Sequence, residues 1–280
     1  MFFIADMVQG LIYKIGEIDW EKVKGREIER ENNIRYVQVK ILSGSEIGNS
    51  CQFINCKLED KISIGNWNEF GNWNKFGNRN KFGNMNKFGN WNEFRYENKF
   101  GYGNKFGNWN KFSNWNEFRY GNEFGNWNKF NDGNEFGGRN EFGNWNKFND
   151  ENEFGNKNEF GNKNEFGNRN KFNSWNKFNN LNEFGNRNEF SYENKFSDLN
   201  KFDYENKFGE GNKFGNRNKF SYGNKFSDLN EFDYENKFDY GNKFGCGNKF
   251  DRKVIFGEEC TQLIFDKKKG IYVPERLVSK

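Results

Sequence analysis

The most regular feature of this chain is a phenylalanine at every sixth position from Phe70 to Phe256. Thirty-two phenylalanines share this phase without interruption, and Ile64 and Leu58 extend it toward the N-terminus. The residues between them are mostly polar, and the typical unit reads Phe-Gly-Asn-x-Asn-Lys/Glu, where x varies. A fixed short period predicts one small structural unit that stacks on copies of itself.

An extended conformation of the unit Asn72–Phe76 predicts which side chains are buried. Side chains alternate along a strand, so the two asparagines and the phenylalanine share one face, while x and the lysine or glutamate share the other. The constant face is predicted to be the interior and the variable face the solvated surface. Gly77 is predicted to form the corner between units, because glycine accepts turn conformations. A helix is excluded, since a six-residue period drifts around a 3.6-residue helix.

The asparagine two residues before each phenylalanine is equally constant, in 31 copies from Asn68 to Asn248. An unpaired buried amide costs about 1–3 kcal/mol, so these side chains need partners. We therefore predict a ladder in which each asparagine bonds the equivalent asparagine of the neighbouring coils.

The spacing of the tryptophans predicts how many units make one coil. Five tryptophans follow one another at intervals of eighteen residues: Trp73, Trp91, Trp109, Trp127 and Trp145. Eighteen residues are three units, which predicts an all-β, triangular parallel β-solenoid with about ten coils stacked at ~4.8 Å.

This pattern resembles the left-handed parallel β-helix of hexapeptide-repeat proteins. The resemblance is most specific in Ile47–Gln52 and Ile64–Glu69, where an aliphatic residue, a glycine and a small residue four positions on match the family pattern of aliphatic-Gly-x-x-small-x. It implies a left-handed coil over residues 47–256. Many members of this family are acyltransferases with a histidine base, and some are carbonic anhydrases that bind metal through histidines. This chain contains no histidine, so no position receives either role.

The two ends differ in composition from the repeat. Residues 1–46 contain a charged stretch from Glu17 to Glu31 and a predicted strand over 36–42, and we interpret them as an N-terminal capping segment. Residues 257–280 contain two apolar runs separated by Lys267–Gly270, which predicts a C-terminal β-hairpin cap. Solenoids need such caps because each end exposes a sheet edge.

Charge, cysteines and the N-terminus exclude several classes of protein. The 44 basic and 40 acidic residues are too evenly balanced for electrostatic binding of nucleic acid. The four cysteines lack zinc-site spacing and suggest reduced thiols, so neither a metal nor a cofactor is expected. Met1–Asp6 lacks the basic flank of a signal peptide and no run is long enough to span a membrane, which predicts a cytoplasmic protein. Low complexity is also typical of disorder, but disorder gives no reason for a strict aromatic phase.

The repeat favours a structural function over catalysis. The segment Ser191–Phe208 recurs nearly unchanged at Ser221–Phe238, an offset of thirty residues that places the copy on a different face. The leading hypothesis is a non-enzymatic scaffold or binding surface for a protein partner or for itself. The alternatives are a carbohydrate-binding module that uses the five tryptophans, whose simpler interpretation is mutual stacking, and an acyltransferase-like enzyme.

Overall fold

The computed structural model describes residues 7–8, 11–15, 34–38, 40–251 and 253–277. Two predictions, the N-terminal residues without a signal peptide and the charged stretch Glu17–Glu31, lie outside the described residues. The chain divides into two compact units, Met1–Glu141 and Phe142–Lys280. Each unit is all-β and consists of three parallel sheets arranged as a β-solenoid, which confirms the predicted fold class.

Nearly every strand is two residues long and ends on a core residue. The strands are β1 Met7–Val8, β2 Leu11–Ile15, β3 Ile34–Val37, β4 Lys40–Ile41, β5 Glu46–Ile47, β6 Gln52–Ile54, β7 Lys57–Leu58, β8 Ser63–Ile64, then β9 to β39 at six-residue intervals from Glu69–Phe70 to Lys249–Phe250, and β40 Ile255–Phe256, β41 Cys260–Asp266 and β42 Ile271–Leu277. The predicted strand over 36–42 is therefore two short strands.

Strands eighteen residues apart pair in parallel and in register. In the first unit Phe88 lies opposite Phe106, and in the second unit Phe184 lies opposite Phe202. Three successive strands therefore belong to three different sheets before the chain returns to the first, as the tryptophan spacing predicted. The duplicated segments also fall on different sheets, because β30 contains Phe196 and β35 contains Phe226.

The corner of each coil lies at the variable residue x, not at the glycine after phenylalanine as the sequence predicted. Trp73 has φ 63° and Arg79 has φ 58°, and the same left-handed conformation recurs at x in nearly every unit. Asn72 therefore does not lie on an extended inner face, although the alternation suggested it. Gly77 likewise does not form the turn. Only the last three residues of a unit alternate as predicted, with Asn74 and Phe76 buried and Lys75 exposed.

The core consists of phenylalanine rings in a herringbone arrangement. Phe106 stacks in parallel on Phe88 and Phe124, with ring centroids 4.6 and 4.8 Å apart. It meets Phe112 and Phe118 of the other two sheets edge to face, at 5.2 and 5.8 Å. Both geometries are favourable for aromatic pairs, so each ring gains specific contacts in addition to its burial.

The inner asparagines satisfy the backbone of the neighbouring coil. The N–H of Asn110 donates to Oδ1 of Asn128 at 2.8 Å, eighteen residues further on, and this bond recurs along the chain. The Nδ2 of Asn110 donates to the carbonyl of Gly107 in its own unit at 3.0 Å. A ladder through the Oδ1 atoms is confirmed, but its rungs join side chain to main chain more often than amide to amide. The prediction that every inner amide is fully paired is wrong, because among the described residues six buried Nδ2 groups have no hydrogen-bond partner: those of Asn80, Asn86, Asn92, Asn104, Asn170 and Asn194.

A second ladder runs in the opposite direction along the outer asparagines. The N–H of Asn84 donates to Oδ1 of Asn66, eighteen residues earlier, at 2.6 Å. Such bonds are 2.6–2.8 Å long where glycine precedes the donor. They lengthen to 2.9–3.2 Å where a residue with a Cβ precedes it. The glycine therefore provides close approach between coils.

We expect Gly83→Ala to destabilise the first unit by about 1–3 kcal/mol, the usual cost of overpacking. The added Cβ would lie against Oδ1 of Asn66 and 2.8 Å from the carbonyl oxygen of Gly65. The matched control is Ser113→Ala, at the same position of its unit, where the chain already carries a Cβ. Urea unfolding followed by circular dichroism measures both, and a Gly83→Ala variant as stable as the control would contradict the close-approach explanation.

The C-terminal residues form a β-hairpin, as predicted, and it adds two strands to the end of one sheet. β41 pairs in parallel with β38 and antiparallel with β42, and Gly270, at φ 66°, completes the turn between them. The carboxylate of Asp266 accepts the N–H groups of Lys268 and Lys269, which orders the lysine-rich turn. The last two core rings, Phe250 and Phe256, are only half-buried.

Candidate functional site

The tryptophans that the sequence singled out form a stacked column on one corner of the first unit. Trp73, Trp91, Trp109 and Trp127 lie with ring centroids 5.0–5.2 Å apart and planes within 5° of parallel. Each occupies the left-handed corner position, with φ between 60° and 63°. The column is therefore an edge between two sheets and not part of a flat sheet face, where the alternation had placed it.

Stacking determines which parts of the indoles a ligand can reach. Trp91 has Trp73 against one ring face and Trp109 against the other, so these inner rings present mainly their edges to solvent. Trp91 and Trp109 are 40% and 41% exposed, whereas Trp73, at the start of the column, is 59% exposed. The corner one coil earlier holds Asn55, so no ring covers the outer face of Trp73 among the described residues.

The fifth predicted tryptophan, Trp145, belongs to the second unit. It is 42% exposed, and the Nζ of Lys163, one coil further along the same corner, lies 4.3 Å from its ring centroid. This distance is that of a cation–π contact. From Lys163 onward the residues at this corner are no longer aromatic. The next positions of this corner, at the same spacing, are two leucines and an arginine: Leu181, Leu199 and Arg217.

The indole N–H groups differ between the corners. Trp175, on another corner of the second unit, donates from Nε1 to the carboxylate of Glu193 at 2.6 Å. Within the described part of the chain, the Nε1 atoms of Trp73, Trp91 and Trp109 have no such partner. The tryptophan column therefore offers a row of hydrogen-bond donors at the rim of an apolar stack.

The sheet faces between the corners carry lysine and glutamate, which pair across neighbouring coils. The Nζ of Lys99 lies 2.6 Å from Oε1 of Glu117, and the Nζ of Lys201 lies 2.6 Å from Oε1 of Glu183. Glu231 accepts from both Lys213 and Lys249, and these hydrogen bonds lower the pKa of its carboxyl group. Such exposed pairs contribute little to stability individually, so these faces act mainly as a charged, hydrated surface.

One surface feature was missed when the sequence was considered alone. In the second unit the corner residues Gly223 and Gly241 replace the arginines of earlier coils and leave a recess of about 600 Å³ beside Tyr222. When the sequence is written in rows of eighteen residues, Gly223 and Gly241 fall one below the other in the same column. The signal was available, but the lysines around the recess have no distinctive spacing of their own.

Among the described residues, no group of three or more cysteine, aspartate or glutamate side chains is placed to hold a metal ion. The same residues contain no helix that is both long and apolar enough to cross a membrane. No protein family, curated protein or solved structure matches the chain.

Proposed function

We propose that this protein is a non-enzymatic structural or interaction protein, a β-solenoid scaffold that associates with a second copy of itself through the tryptophan column. The observation that supports this function is the exposed row of stacked indole edges at Trp73, Trp91, Trp109 and Trp127. We also propose that the coil is left-handed, as the resemblance to hexapeptide-repeat proteins implies.

The periodicity of the column favours a second copy as the partner. A row of aromatic edges with the ~4.8 Å coil repeat is matched best by a surface with the same repeat, and this chain itself provides one. Contiguous apolar patches on a folded protein commonly mark interaction sites, and tryptophan is enriched among residues that dominate binding energy. The indole N–H groups of Trp73, Trp91 and Trp109 add donors that the partner's carbonyl or carboxylate groups are able to satisfy.

Replacement of the four tryptophans by asparagine is expected to weaken self-association strongly without loss of the fold. Asparagine tolerates the left-handed conformation and already occupies this corner at Asn55. Loss of several interface tryptophans, each worth about 2 kcal/mol or more, predicts association at least ~100-fold weaker. Sedimentation velocity over a concentration series measures the association, and far-UV circular dichroism reports the fold.

The matched control is the pair Arg79→Asn and Glu97→Asn, which changes the equivalent backbone position on a different corner. A wild-type chain that is monomeric at every concentration, or a control that weakens association equally, would contradict the proposal. Within the tryptophan column, the position that favours glycan binding is the uncovered outer face of Trp73. Loss of glycan-array binding in Trp73→Asn, without a change in association, would assign that function instead.

A further inference from the structure

The recess in the second unit is formed by a change of corner residue. Along this corner the chain places five residues at intervals of eighteen: Arg169, Arg187, Glu205, Gly223 and Gly241. The two glycines have φ of 67° and 66°, the conformation that the bulkier corner residues also adopt. Because only the side chain is missing, the coil path is unchanged and a space of about 600 Å³ remains between the corner and the adjoining sheet face.

The lining of the recess is strongly basic. Six basic side chains and only two acidic ones surround it: Arg169, Lys171, Arg187, Lys207, Lys225 and Lys243 against Glu189 and Glu205. Four of these basic side chains form ion pairs with glutamates at 2.8–3.2 Å. The pairs are Arg169–Glu151, Lys171–Glu153, Arg187–Glu205 and Lys207–Glu189. Lys225 and Lys243 make no ion pair within the described part of the chain.

Three of the lysines lie directly beside one another. Lys207 is opposite Lys225 in the parallel register, and Lys225 is opposite Lys243. Neighbouring strands are ~4.8 Å apart, and like charges directly opposite one another are unfavourable. The solenoid therefore places three lysines at opposite positions of adjacent strands, and among the described residues the carboxylate bonded to them is that of Glu189, 2.8 Å from Nζ of Lys207. A multiply charged anion would relieve this repulsion.

We propose that this recess binds a small ligand that carries two or more phosphate or sulfate groups. Lys225 and Lys243 contact the anionic groups as point charges, and Lys207 contributes from the next strand. Tyr222, stacked on Tyr240 with centroids 5.6 Å apart, forms one wall. The Arg187–Glu205 ion pair, at 2.8 Å, lines the recess where the corner becomes bulky again.

The charge test uses isothermal titration of the full chain with sodium tripolyphosphate and with a sulfated disaccharide, which separates the two sources of anion. We expect binding by the wild type and a loss of at least about tenfold in Lys225→Gln/Lys243→Gln. The control Lys219→Gln/Lys237→Gln removes the same charges from in-register lysines of another sheet. An equal loss in both variants would reduce the effect to general electrostatics, and absence of binding by the wild type would overturn the proposal.

The shape test fills the recess without changing charge. Gly223→Leu places a side chain into it, and the chain already carries leucine in the same left-handed conformation at Leu181 and Leu199. Gly211→Leu has the same backbone conformation on another corner and is the control for strain. We expect only Gly223→Leu to abolish binding of tripolyphosphate. Unchanged binding in Gly223→Leu would show that the recess is not the site.

Discussion

The variant Phe148→Asp is expected to unfold several coils of the second unit. Phe148 is fully buried, stacks on Phe166 at 4.9 Å and meets Phe154 edge to face at 5.2 Å. Removal of a buried phenylalanine costs about 3–5 kcal/mol, and burial of a carboxylate among aromatic rings adds a large desolvation cost. Because a solenoid coil is stabilised by its neighbours, the damage should spread along the stack.

Native-state hydrogen exchange locates this damage. The N–H of Glu165 donates to Asn146 and that of Gly167 donates to Phe148, so these two amides should lose protection first. The control is Lys147→Glu, one residue earlier on the exposed face. It replaces the 3.2 Å ion pair with Glu165 by like charges and should cost at most about 1 kcal/mol. Equal destabilisation by the two variants would overturn the assignment of inside and outside.

The sequence predicts those features of the fold that depend on period. The six-residue phase of phenylalanine identifies the core, and the eighteen-residue spacing of tryptophan identifies three units per coil. Both follow because stacked coils must repeat the same side chain at the same place. The stacking of Trp73, Trp91, Trp109 and Trp127 was foreseen for the same reason, although it entered the prediction only as the simpler interpretation of the column.

The sequence predicts the wrong corner position because the local conformational preferences of the residues conflict there with the hydrogen bonds between coils. Glycine favours turns, which suggested Gly77, whereas tryptophan and arginine rarely adopt positive φ. The structure nevertheless places Trp73 in the left-handed region, since the ladders on both sides of it determine the backbone. The N–H of Trp109 shows this, because it reaches the carbonyl of Asn126 in the next coil at 3.1 Å. Such bonds between coils are invisible in a single unit.

The glycine after phenylalanine has a role that a local pattern does not show. At Gly83 it allows Asn84 to approach the side chain of Asn66 in the preceding coil. The recess at Gly223 is likewise a property of a column and not of a unit. In both cases the relevant neighbour lies seventeen or eighteen residues away, so it is found only after the coil length has been used to arrange the sequence.

The variant Asn188→Leu is the second substitution for which we expect a large loss of stability. The side chain of Asn188 is fully buried and makes three hydrogen bonds. Its Oδ1 accepts the N–H of Asn170 at 2.8 Å, and its Nδ2 donates to the carbonyls of Gly167 and Gly185 at 3.0 Å each. Leucine fills similar space but leaves these groups without that partner, and each buried unsatisfied group costs about 1–3 kcal/mol. We therefore expect a loss of about 3 kcal/mol or more in urea unfolding.

The control for this prediction is Asn186→Leu, two residues earlier on the outer ladder. The Oδ1 of Asn186 accepts the N–H of Tyr204 at 2.9 Å, but the site is half-buried and water is able to replace the amide. Its loss should cost about 1 kcal/mol. Hydrogen exchange separates the two effects, because Asn188→Leu should deprotect the N–H of Asn170 while that of Lys171, bonded to Asn152, stays protected. Equal costs, or an unchanged Asn170 amide, would mean that the inner ladder is not what holds neighbouring coils together.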